Sequence, residues 1–88
     1  MTSVIEESLA HLVKGIVEHP EDVIVRTRGR RGARERGAGT TFQVRVNPED
    51  IGRVIGRGGR TATAIRTVVS ALAGGRPVRV DFMDADER

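Results

Sequence analysis

The stretch VIGRGGRT, Val54 to Thr61, sets three glycines and two arginines between two apolar segments of helical spacing. A hinge between helices needs one glycine, at most two, so the third glycine and the arginines ask for another reason. Upstream, NPEDIGRVIG opens a short helix. Asn47 suits the N-cap, Pro48 the first helical position, and Glu49 and Asp50 the positive end of the helix dipole. Ile51, Val54 and Ile55 give that helix one apolar face. Downstream, residues 60–73 read as a second helix, with Ile65, Val68, Val69 and Leu72 inward and Arg60, Thr63, Arg66 and Ser70 outward. Gly74 and Gly75 end it, and Pro77 prevents its resumption.

Working outward, TTFQVRV (residues 40–46) alternates Phe42, Val44 and Val46 against Thr41, Gln43 and Arg45, the pattern of a half-buried strand. VRVDF (78–82) alternates likewise, and DVIVRT (22–27) is rich in β-branched residues. Residues 3–18 read as a helix. Ser3 and Glu6 form a capping box, and Ile5, Leu9, Leu12, Val13 and Ile16 make one stripe that His19-Pro20 terminates. The order is α-β-β-α-α-β. This predicts an α+β domain in two layers, a three-stranded sheet covered on one face by three helices. Residues 1–84 are expected to form that single domain, with a basic loop at 28–39 between the first two strands and a polar tail at 85–88.

The chain of 88 residues suffices for one domain. With no Trp or Tyr and two Phe, its core must be aliphatic. The absence of Cys excludes disulfides and thiolate metal sites and suits a reducing cytoplasm. The N-terminus lacks the basic start of a signal peptide, and no run approaches a membrane span, so the expectation is a soluble cytoplasmic protein without membrane contact. The formal net charge is +3. Of the 15 basic residues only Lys14 is a lysine. The arginines crowd between Arg26 and Arg66, where only Glu35, Glu49 and Asp50 oppose them, whereas most acids lie towards the ends. A cationic centre of this kind points first to nucleic acid.

Glycine motifs that serve nucleotide chemistry do not fit. A P-loop and a dinucleotide fingerprint both sit between a strand and a helix, and a P-loop needs a lysine that is absent here. His11 and His19 read as surface or helix-end residues. No catalytic group, metal site or cofactor site stands out, and the expectation is a non-enzymatic protein.

What remains is Ile55-Gly56-Arg57-Gly58-Gly59 between two short helices, followed by a strand. This resembles the KH domain, whose GXXG loop clamps four nucleotides of a single strand. The element order resembles the type II KH arrangement. The whole chain, with Asn47 to Gly74 as its specific part, resembles the small bacterial KhpA-like RNA-binding proteins. The resemblance implies a GXXG clamp at Gly56, Arg57, Gly58 and Gly59. Physically, glycines let a phosphate approach the backbone. The free amides of the following helix and its dipole face the anion, and Arg57, Arg60 and Arg53 add charge and forked donors. Gly58 departs from the family's usual basic or polar residue at that position. Bases would lie on an aliphatic groove whose candidate walls are Ile51, Val54, Ile55, Ile65, Val44 and Val46. For each of these a core role stands beside the groove role. Arg28, Arg30, Arg31, Arg34 and Arg36 form an auxiliary basic segment, read either as a solvated linker or as extra phosphate contacts.

The resemblance further implies self-association as a homodimer, and a heteromer with a larger Jag-type KH protein. It implies a part in post-transcriptional regulation and in control of cell shape. Two other functions remain open: a KH-fold protein-interaction module that binds little RNA, and a ribosome-assembly factor.

Overall fold

A computed structural model describes residues 4–29 and 40–84. The first helix, α1, runs from Val4 to Lys14, with Glu6 and Glu7 in its first turn and His11 and Lys14 in its last, as the helix dipole favours. The Ser3 cap lies outside the described residues. The helix stops four residues short of the expected end. Gly15 is a poor helix former, and its amide is shared between the His11 and Leu12 carbonyls as the turn tightens. A 3₁₀ turn at Pro20–Asp22 leads to the first strand.

That strand, β1, covers Ile24–Gly29 rather than 22–27. Asp22 belongs to the preceding turn. Arg28 and Gly29, expected in the basic loop, pair instead with Thr41 and Thr40 of the second strand. Arg30, Arg31, Arg34 and Arg36 lie outside the described residues. The second strand, β2, spans Thr40–Val46, and the third, β3, spans Val78–Asp84. The last of these is two residues longer than expected because its pairing continues through Arg45↔Met83 and Val46↔Asp84. The sheet order is β1-β2-β3, antiparallel between β1 and β2 and parallel between β2 and β3. Joining parallel neighbours takes a crossover. It contains a 3₁₀ turn at Pro48–Asp50, then α2 (Ile51–Ile55), the glycine turn and α3 (Arg60–Leu72).

The three helices cover one face of the sheet, giving the α+β fold and element order expected. Leu9 and Val13 of α1 meet Phe42, Val44 and Val46 of β2, Val80 of β3, Val54 of α2, and Ile65 and Val69 of α3 in one core that is aliphatic but for Phe42. Each fully buried Val or Leu stabilises by about 1.5–3 kcal/mol before entropy is charged against it. On α3 the inward residues are Ala62, Ile65 and Val69. Val68 and Leu72, expected inward, are 41% and 46% exposed. Among the described residues no helix is long and apolar enough to cross a membrane.

Candidate nucleic-acid interface

The chain leaves α2 at Gly56, whose amide still reaches the Gly52 carbonyl at 2.9 Å. It then passes through three residues with positive φ: Gly56 (78°), Gly58 (63°) and Gly59 (77°). Positive φ at all three positions is the backbone conformation that glycine adopts most readily. Their surroundings differ. A Cβ on Gly56 would run into the Thr61 side chain and lie 2.8 Å from the Thr61 amide nitrogen, so this glycine lets the start of α3 pack against the end of α2. Gly58 and Gly59 have nothing within 4 Å of a would-be Cβ and face open space. Room for an incoming backbone is thus found at Gly58 and Gly59, not at Gly56.

Helix α3 begins directly after this left-handed pair, with no side chain capping its first amides. The Arg60 amide is taken by the Arg57 carbonyl, and the positive dipole end of the helix sits beside Arg57 and Arg60, both exposed. Arg53 is engaged elsewhere: its guanidinium bonds Glu18 at 2.9 Å and stands 3.8 Å from Asp50.

The six groove candidates separate by burial. Val44, Val46 and Val54 have no exposed surface and Ile65 has 4%, so these four are core residues. The alternation of β2 and the inward stripe of α3 require this. Ile51 and Ile55 are half-buried and packed against the same core, which leaves them as the candidates with surface to offer a base.

An acidic hub holds α2 in place, and the sequence reading missed it. Asp50 is 1% exposed. Its carboxylate accepts hydrogen bonds from the Glu18 amide (3.1 Å), the His19 amide (3.0 Å) and the His19 ring nitrogen Nδ1 (3.1 Å). Burial alone would raise the Asp50 carboxyl. The Glu18 amide, the His19 ring and the His19 amide outweigh it and hold the group below its ordinary 3.8. The hydrogen bond to Asp50 raises His19 above its ordinary 6.5 against the cost of burial, and Glu49, 3.6 Å from Nε2, adds to the rise. Asn47 is the cap expected, its Oδ1 accepting from the Glu49 amide at 2.8 Å, while its Nδ2 donates to Asp22 at 2.9 Å. The short helix that carries the glycine turn is thus pinned at its start to the segment between α1 and β1. The only trace of the hub in the sequence is an Asp three residues after an Asn-Pro cap, which equally fits a solvated helix end.

The family model described as "KhpA/KhpB, KH domain" matches residues 6–83. The chain is 58% identical over 77 residues to the RNA-binding protein KhpA of Leifsonia xyli subsp. xyli, covering 88% of this chain and 93% of that one. It is 56% identical over 82 residues to the RNA-binding protein KhpA of Streptomyces coelicolor, covering 93% and 95%. With the RNA-binding protein KhpA of Mycobacterium bovis it shares 48% identity over 91 aligned positions, covering 99% of this chain and all of the relative.

Proposed function

The chain belongs to the KhpA/KhpB KH-domain family, and from that membership we propose that it binds single-stranded RNA without catalysing a reaction. The observation that carries the reading is the open left-handed pair Gly58–Gly59, feeding an uncapped α3 between two exposed arginines. A phosphate seated there meets backbone amides, a favourable dipole end and two forked donors. Arg57 and Arg60 carry the charge of this clamp. Arg53 steadies α2 through Glu18, and reaches RNA only by giving up that pair. Ile51 and Ile55 form the apolar contact for the adjoining bases, with Val44, Val46, Val54 and Ile65 shaping it from behind.

One such clamp holds about four nucleotides, so useful affinity calls for a second module. The proposed setting is a cytoplasmic post-transcriptional regulator working as a homodimer or with a second KH protein. A specific feature favours association. Leu12 of α1 and Val68 and Leu72 of α3 line an apolar groove of about 560 Å³ between the two helices, rimmed by Glu7, Ser8 and His11.

The test of RNA binding is the double substitution Arg57→Asp with Gly58→Asp. Gly58 faces open space, and Asp tolerates left-handed backbone better than most residues, so the fold should survive. Binding to short single-stranded RNA should fall at least about tenfold, a loss of about 1.4 kcal/mol or more. Unchanged affinity in a folded variant refutes the clamp.

A further inference from the structure

The face of the sheet turned away from the helices carries its own cationic surface. Strand alternation and the pairing registers place its residues in three rows. Arg28, Thr41 and Arg79 form the first, Arg26, Gln43 and Asp81 the second, and Ile24, Arg45 and Met83 the third. The opposite parity faces the core, with Val25, Phe42, Val44, Val46 and Val80 packed together and Thr27 bonded to Glu6 of α1. Among the described residues, four guanidinium groups therefore stand on the outer face against one carboxylate, Asp81. Arg26, Arg28 and Arg79 are exposed, and Arg45 is half-buried with its Nε lacking a hydrogen-bond partner.

Spacing suits a chain of phosphates. Arg26 and Arg28 are two residues apart on β1, about 7 Å, and Arg28 and Arg79 flank Thr41 across two strand spacings, about 10 Å. Between them Arg28, Thr41, Gln43 and Asp81 outline a shallow groove of about 220 Å³, in which the Thr hydroxyl and Gln amide add polar contacts. The outward rows contain no aromatic side chain, so bases have nothing to stack on. A surface of this composition grips phosphates and ignores sequence.

We propose that this outer sheet face is a second RNA-binding surface, a phosphate track that engages the flanks of a strand whose short single-stranded segment is held at the glycine turn. The proposal rests on the RNA-binding reading above and adds a site on the other side of the domain. RNA is the favoured occupant because the face is complementary to a polyanion, and because an RNA captured at the turn brings its own flanks to the sheet at high effective concentration. An acidic protein segment is the competing occupant.

The experiment compares wild-type protein with the triple variant Arg26→Gln, Arg28→Gln, Arg79→Gln. Each is titrated with a tetranucleotide and with a single-stranded RNA of about 30 nucleotides, across a salt series. All three side chains are exposed, so the thermal midpoint should hold, and circular dichroism checks it. The expected result is unchanged tetranucleotide affinity, at least about tenfold weaker binding of the long RNA, and a slope of log K against log salt flatter by about 2, at roughly 0.7 per lost contact. Unchanged long-RNA affinity and slope overturn the sheet track and leave the clamp standing, with an acidic protein as the remaining occupant. A wild type that binds the long RNA through the three arginines but shows no dependence on Arg57 or Gly58 supports the track and overturns the clamp. A wild type that binds neither RNA overturns both.

Discussion

At the scale of single residues, the three glycines of the turn have the same sign of φ and different work. Gly56→Ala forces a Cβ into Thr61 while straining a φ of 78°. Steric overlap and left-handed strain together should cost about 2–4 kcal/mol. Gly58→Ala meets only the strain, about 1–2 kcal/mol. Urea denaturation midpoints of the two variants check this, and equal losses would show that Thr61 gives way freely. The sequence made the motif visible, since three glycines beside two arginines between helices have few other uses. It did not reveal which glycine faces inward. That depends on where Thr61 sits after the backbone has turned, and spacing alone carries no such distance.

Individual elements show where the pattern was readable and where it misled. The strands were legible because alternation of Phe42, Val44 and Val46 leaves one answer. On helix α3 the inward expectation holds for Ile65 and Val69 and fails for Val68 and Leu72. In the structure the stripe passes through Ala62, Ile65, Val69 and Ala73, so two small residues occupy core positions. Small side chains let the helix lie close to the sheet, and Val68 and Leu72 are left on its flank. The segment joining α1 to β1 hides another element-level property in the His19–Asp50 pair. His19 is raised in the folded state, so its contribution is whole below about 6.5 and is lost as pH climbs through the folded value. Asp50 is lowered, so its contribution is whole above about 3.8 and is lost as pH falls through the folded value. Thermal midpoints should therefore peak between these limits. His19→Gln should remove the decline on the alkaline side while leaving the acid limb, and a wild type whose midpoint stays flat from pH 6 to pH 8 would contradict the pair's role.

Across the whole molecule, the apolar flank of α1 and α3 and the arginine face of the sheet lie on opposite sides of the core. Self-association through the first leaves the second open. Leu72→Glu should leave the monomer folded, because its side chain is already half in solvent. It should also abolish any dimer seen by light scattering, through a charge set in an apolar contact. A dimer that survives this change lies elsewhere.

The parallel pairing of β2 with β3 also orders events in time. β1 and β2 are close in sequence and need no crossover. Residues 47–77 must be synthesised before β3 can take its place beside β2. During synthesis the chain thus passes through a stage in which β2 lacks one of its two strand neighbours and the proposed RNA clamp is incomplete. A strand of RNA that recognises only the finished turn favours the closed chain by mass action. On the proposed clamp the nucleic acid acts as a folding ligand, and purified protein refolded without RNA should stay longer in a protease-sensitive state than protein refolded with a short single-stranded RNA.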